Sequence, residues 1–431
     1  MMKHSAQLVK LKNGAKGLLI DVPDSSVMNF DFNFRAGDYL SPKNKWDTAH
    51  LLEHMVLGAN KKYRNSSDFS KEFSKNGAFN NASTGTYYMS YTADCADFEA
   101  ERILDLLCLA IEAPLFLESE FVAEHANVRE ELKGLRNNHF SDLSLRMGES
   151  MGFYDLSYNG RSKQLDNINL SDIKSMYKKT HIAPNLRFMI AGNIGSRKKK
   201  ILQRIGAMDL DTKGSRIELP TEHIIGLDKP LAIKNKTVEN VYYRWETVID
   251  HVLTEPEDDA VSALFGSLLG TLHSRIFGKA RENGLAYHIS YNRYRTLNNH
   301  VWWIGGQVMP KNIEKLFGLF AEELYAVANG KFSQEELDAT KQYALGNFQK
   351  GFQTVGQLLD GYADQFIFTD KIEDYFAIPK RIEALKCEDI INAAQMCLKA
   401  GNPWAIGFYG ATKNVKPGKL KQQLSKSFYK K

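Results

Sequence analysis

The stretch TAHLLEHMVL, Thr48 to Leu57, holds the one arrangement in this chain that implies chemistry. Leu51, Leu52, Met55 and Val56 recur at helical spacing and Gly58 follows as a stop, so the spacing predicts a short helix with one buried side. His50 and His54 are four apart and Glu53 stands three after His50, which puts all three on one face. Two imidazoles so placed can reach one zinc ion at about 2.0–2.1 Å, and a carboxylate on the same turn is close enough to deprotonate a bound water. The order H-x-x-E-H inverts the H-E-x-x-H zinc helix. The competing reading is a pair of histidines placed by packing, with an ordinary helical glutamate between them. A third ligand would separate the two.

At 431 residues and 43% hydrophobic content the chain can build two cores, because single cores stop growing near 250–300 residues. The start, MMKHSAQLVKLKNG, lacks the apolar stretch of a signal peptide, and no run approaches the roughly 18 apolar residues of a membrane span. A soluble, cytoplasmic protein with no membrane association is expected. Cys95, Cys108, Cys387 and Cys397 are too few and too scattered for a disulfide framework and are read as reduced thiols. A net charge of +5 is too mild to suggest a nucleic-acid partner. Its basic character is local. Arg197 to Lys200 read as a solvated helix face, and the lysine-rich stretch from Lys413 to Lys431 as a solubilising tail.

Outward from the motif, Leu8 to Val22 reads as strand, turn at Asn13-Gly14, and strand, followed by alternation of Phe30, Phe32 and Phe34 with polar neighbours. After the motif, Asp68 to Asn76 reads as a helix. NNASTGTYYMSYT then alternates small polar residues with aromatics in the manner of a strand at an exposed edge. Two helices flank Pro114, the second running from about Glu118 into the 130s before Gly- and Asn-rich loops. On it Glu124 and Glu131, seven apart, share a face. A carboxylate is the ligand type that completes a His₂Glu site with an open position for water. Helical glutamates are common, however, and spacing alone does not single out Glu131.

The chain also repeats itself. SDIKSMY leading to APNLRFMIAGN in the first half is echoed by CEDIINAAQM leading to GNPWAIGFYG in the second, and the strand Tyr242 to Ile249 with its following helix echoes Phe30 to Phe34 with the motif helix. The expected organisation is a domain over 1–207, a linker over 208–235 and a homologous domain over 236–431, with the basic tail from about 413. The second half contains no H-x-x-E-H, so the chemistry belongs to the first.

In this order LKNG, a strand ending in RAG, HLLEHM, NGAFNNAST, the Glu124 and Glu131 pair, APNLRFMIAGN and ARENGLAY resemble the pitrilysin/insulinase family of inverted-motif zinc peptidases, in its bacterial and mitochondrial-processing-peptidase-like branch. The similarity runs from about Leu8 to Gly410. It implies an α+β fold of two tandem homologous domains, each a mainly antiparallel sheet covered by helices. It also implies one zinc ion per chain on His50, His54 and Glu131, with Glu53 as general base and Glu124 behind the ligands. Asn81 and Ala82 match the strand on which an extended peptide docks. Arg281 and Tyr287 match an Arg and a Tyr that bind substrate near the scissile carbonyl, although RENGLAY is one residue shorter than in many relatives.

The implied activity is zinc-dependent endopeptidase cleavage of extended or unfolded peptides in a two-part chamber, with Glu53 activating a zinc-bound water. The implied assembly is a homodimer or a heterodimer with a related chain. The alternative is a non-catalytic peptide-binding or scaffolding subunit of a processing-peptidase-like heterodimer, since the family includes members without the zinc residues. A zinc hydrolase of small molecules would leave the docking strand and the second half without a use.

Overall fold

The computed structural model describes residues 2–429. The chain is α+β and builds two sheets, one in each of two compact units. The units are discontinuous in sequence. The first comprises Met1–Gly134, Asn159–Pro220 and Gln349–Glu373, and the second comprises Leu135–Tyr158, Thr221–Phe348 and Asp374–Lys431. Contiguous halves were expected; instead each half lends one helical segment to the other unit.

In the first unit β1 (Ser5–Lys10), β2 (Lys16–Asp21), β3 (Val27–Phe34), β4 (Phe79–Thr84), β5 (Met89–Ala96) and β6 (Leu186–Gly192) lie in the order β1-β2-β6-β3-β5-β4. All pairs are antiparallel except β2 with β6. Period-two alternation sends Phe30, Phe32 and Phe34 to one face, with Tyr91 and Met89 directly across from Phe32 and Phe34, and all five are buried. That face is covered by helix Thr48–Val56, which packs on β4, and by helix Ala100–Glu112, which packs on β5. The other face carries Asp31, Asn33 and Arg187 and is covered by helix Val355–Thr369, the segment lent by the second half. Burial under it pushes Asp31 up to about 6, despite bonds from Ser90 and Asn33.

The second unit repeats the scheme without a counterpart of β1. Here β7 (Leu231–Lys234), β8 (Val241–Ile249), β9 (Ile289–Arg295), β10 (His300–Val308) and β11 (Trp404–Gly410) run in the order β7-β11-β8-β10-β9, with β7 and β11 the parallel pair. Tyr243, Trp245, Trp302 and Ile304 bury one face under helices Glu255–Leu269, Ile313–Ala328 and Cys387–Cys397. The opposite face packs Val248, Val301 and Ala405 against Leu143, Met147 and Met151 of helix His139–Met151, the segment lent by the first half. Gly407 permits this contact, because a Cβ there would lie 2.3 Å from Met147 Sδ.

Four expectations need correction. The stretch from Asn80 to Thr92 is not one strand but two, because the carbonyls of Gly85, Thr86 and Tyr87 turn to accept the amides of Asp38, Tyr39 and Gly37. The Asn and Gly residues read as loops after the 130s are helix caps. Asn138 accepts the Ser141 amide at the start of helix His139–Met151, and Gly152 closes it at φ 89°. The 208–235 stretch contains a strand of the second sheet, β7. Finally, the basic C-terminal stretch is not a solvated tail: helix Pro417–Ser425 buries Leu420 and Leu424 against helix Ile313–Ala328, leaves Lys419 exposed, and half-buries Lys421, whose Nζ donates to the Asp228 carbonyl at 2.9 Å. The lysines at 430 and 431 lie outside the described residues. Among the described residues no helix is long and apolar enough to cross a membrane. All four cysteines are free.

Candidate metal centre

Helix Thr48–Val56 is held by its apolar residues, with Leu51, Leu52, Met55 and Val56 all buried. That packing leaves the face of His50, Glu53 and His54 toward a cleft of ≈360 Å³, lined also by Asp38, Asn81, Thr84, Glu131 and Arg161. Helix Glu118–Leu135 supplies the remaining carboxylates from one face. At its start Glu120 accepts the amides of Ala59 and Ser66 at 2.9 Å each, tying the helix to the chain that leaves the motif. One turn on, Glu124 Oε2 lies 2.8 Å from His54 Nδ1. Two turns further, Glu131 Oε2 reaches 3.4 Å from His50 Nε2 and 3.9 Å from His54 Nε2, and those two nitrogens are 3.2 Å apart.

These separations fit a cation. Ligands each about 2.0–2.1 Å from a tetrahedral ion lie about 3.3 Å from one another. The chemistry of the donors agrees. His54 Nδ1 faces Glu124 and His50 Nδ1 faces Asp47 Oδ1 at 3.2 Å, so each neutral ring carries its hydrogen at Nδ1 and presents a lone pair from Nε2. Two lone pairs and a carboxylate oxygen therefore converge, an arrangement that only a proton or a cation satisfies. Burial disfavours a charged His50, but bonds to Asp47 and Glu131 outweigh it and push the group up to about 9. A proton thus competes with metal for this position. The bond from His50 holds Glu131 below the usual carboxylate range, and the bond from His54 does the same for Glu124.

Glu53 brings a carboxylate oxygen within 4.8 Å of the imidazole nitrogens, so it stands in the same cluster as the two histidines. Burial raises its pKa, while Thr84 Oγ1, from the end of β4, donates to Oε2 at 3.1 Å and anchors the carboxylate. Asn81 and Ala82 lie on β4, which has β5 on one side and ends the sheet on the other. The motif, Glu131, Glu124 and strand β4 with Asn81 and Ala82 are therefore all brought together in the first unit. Arg281 and Tyr287 belong to the second unit. There the guanidinium sits 4.6 Å from the centroid of the largely exposed Tyr287 ring and donates to the Tyr287 carbonyl at 3.3 Å.

A model of the insulinase family, peptidase family M16, matches residues 23–154, and a second, described as the peptidase M16 inactive domain, matches residues 167–343. The chain belongs to this M16, pitrilysin/insulinase, family. Its M16 relatives include an uncharacterized zinc protease of Rickettsia felis, 24% identical over 91% of this chain and 95% of that protein. Another, a probable inactive metalloprotease of Bacillus subtilis, is 23% identical over 68% of this chain and 70% of its own length. The fold matches a crystal structure of a protease from Helicobacter pylori with a TM-score of 0.82 at 19% identity, covering 95% of this chain and 100% of that one.

Sequence reasoning missed Asp47, Thr84, Glu120 and Arg161. Asp47 carried a usable signal, an acid three residues before a ligand histidine. Arg161 carried none, because it reaches the site from the short helix Tyr158–Gln164.

Proposed function

We propose that this M16 chain is a zinc-dependent endopeptidase acting on extended or unfolded peptides. The observation that supports it is the convergence of His50 Nε2, His54 Nε2 and Glu131 Oε2 beside Glu53, in a cleft whose wall is the sheet-edge strand β4. A zinc ion held there supplies Lewis acidity, polarising a carbonyl and lowering the pKa of water towards about 7. Glu53 takes the proton of the attacking water and later returns it to the leaving amine. Thr84 keeps that carboxylate in place. The unpaired edge of β4 offers backbone amides and carbonyls to an extended peptide, a mode that reads main chain more than side chains. The roles of Arg281 and Tyr287 in substrate binding rest on the family resemblance, as does a dimer with an identical or a related chain.

The B. subtilis relative favours a second reading, a subunit that keeps the fold without the activity. Elemental analysis and cleavage of a quenched fluorescent peptide, with and without chelator, separate the two. The endopeptidase reading expects one zinc per chain, chelator-sensitive cleavage, and a Glu53→Gln variant that keeps its zinc while losing about 10²–10⁴-fold in rate. Near-normal turnover by that variant removes Glu53 from the mechanism, and a metal-free wild type leaves only the subunit reading.

A further inference from the structure

His50 and His54 are held from behind by unlike partners. Glu124, behind His54, is partly exposed and also accepts from Asn127 at 3.2 Å. Asp47, behind His50, is wholly buried. Its carboxylate is gripped by Arg161, whose Nε lies 3.1 and 3.3 Å from the two oxygens and whose Nη2 also bonds Oδ1. The same Nη2 lies 3.3 Å from His50 Nδ1. Two groups of opposite hydrogen-bonding character therefore compete for one ring nitrogen. If Asp47 wins, Nδ1 carries the hydrogen and Nε2 offers its lone pair to the metal position. If Arg161 wins, Nδ1 accepts, and the neutral ring must carry its hydrogen at Nε2, pointing at the metal position.

The geometry points to Asp47 as the positioning residue that selects the metal-binding tautomer of His50 against Arg161. This rests on the zinc site proposed above. Arg161 has two effects in this arrangement. It compensates the buried charge of Asp47, which water cannot reach, and it supplies the donor that would block the site were Asp47 absent. The result is a signature that a purely structural ion pair lacks. Removing Asp47 alone harms metal binding more than removing Asp47 and Arg161 together.

The test is zinc affinity of the full-length chain, measured by competition with a chromophoric chelator, for wild type, Asp47→Ala, Arg161→Met and the double variant, with thermal melts of the metal-free proteins as the folding control. Asp47→Ala is expected to bind zinc about 10–100-fold more weakly, the usual effect of losing a partner behind a metal-bound histidine. The double variant is expected to recover most of that loss even if its melting temperature is no higher. Should Asp47→Ala not fold, Asp47→Leu, which also leaves no acceptor behind His50 Nδ1, replaces it, alone and together with Arg161→Met, in the same competition assay. Wild-type affinity in the single variant or no recovery in the double variant overturns the assignment. A wild type that binds no zinc instead overturns the metal site itself.

Discussion

Replacing Asp370 by Asn tests the lending of a helix by the second half of the chain to the first unit. Asp370 ends helix Val355–Thr369 in the left-handed region, at φ 59°. Its Oδ2 accepts from Lys16 Nζ at 2.6 Å and Arg187 Nη2 at 3.0 Å, and its Oδ1 from Arg187 Nε at 2.5 Å and Arg216 Nη1 at 2.9 Å. Arg187 is only 3% exposed, so losing the carboxylate charge leaves a buried guanidinium uncompensated. Breaking a buried pair from one side costs about 3–5 kcal/mol. The lower end applies, because the Asp370 side chain is 21% exposed and Lys16, at 37%, contributes little. At about 3 kcal/mol, local opening of the helix becomes about 100-fold more frequent. Hydrogen exchange read by mass spectrometry over Val355–Thr369 should show that acceleration, with peptides of β8 and β10 as unaffected references. The sign with pH is also determined. Burial opposes the Asp370 charge, but Arg187 and Lys16 hold its pKa well below the ordinary 3.8, so its contribution is complete above that value and is lost as pH falls below about 4. The variant should lack this dependence. Exchange within threefold of wild type, or acceleration spread evenly over both units, would refute the reasoning.

Glu124→Gln keeps an acceptor for His54 Nδ1 but loses the charge, and should weaken zinc binding by about tenfold, at the mild end of such effects, in a chelator competition assay. His181 is buried between Phe34 and Tyr177, and burial lowers its pKa to about 3. Because the unfolded chain binds the proton first, stability should fall by about 1.4 kcal/mol per pH unit as pH drops below 6.5, on account of this residue, a slope that His181→Gln should remove from urea melts. Leu420→Ala should destabilise the second unit by about 2–5 kcal/mol in thermal melts, the cost of a core cavity, whereas a solvated tail would tolerate it.

Much of the first unit was legible because its signals are local. Alternating Phe30, Phe32 and Phe34 specify a strand with one buried face, and the three-and-four spacing of His50, Glu53 and His54 specifies one helical face. The seven-residue interval of Glu124 and Glu131 placed both on one side of a helix, and the structure turns that side to the imidazoles. The stretches misread were those whose residues suit two purposes. Asn138 and Gly152 serve loops and helix caps equally, and the lysines around Leu420 and Leu424 hide an amphipathic period in a highly charged segment.

By itself the sequence determined the repeated strand-and-helix pattern and the shared helical face of His50, Glu53 and His54, because periodicity and spacing are properties of neighbours along the chain; Glu131 was singled out by the family resemblance. Only the tertiary structure decided which helix covers which sheet face, that Asp47 and Arg161 meet behind His50, and that Thr84 anchors Glu53. These pairings join residues far apart in sequence through burial and charge compensation, and neither quantity exists until the chain has folded.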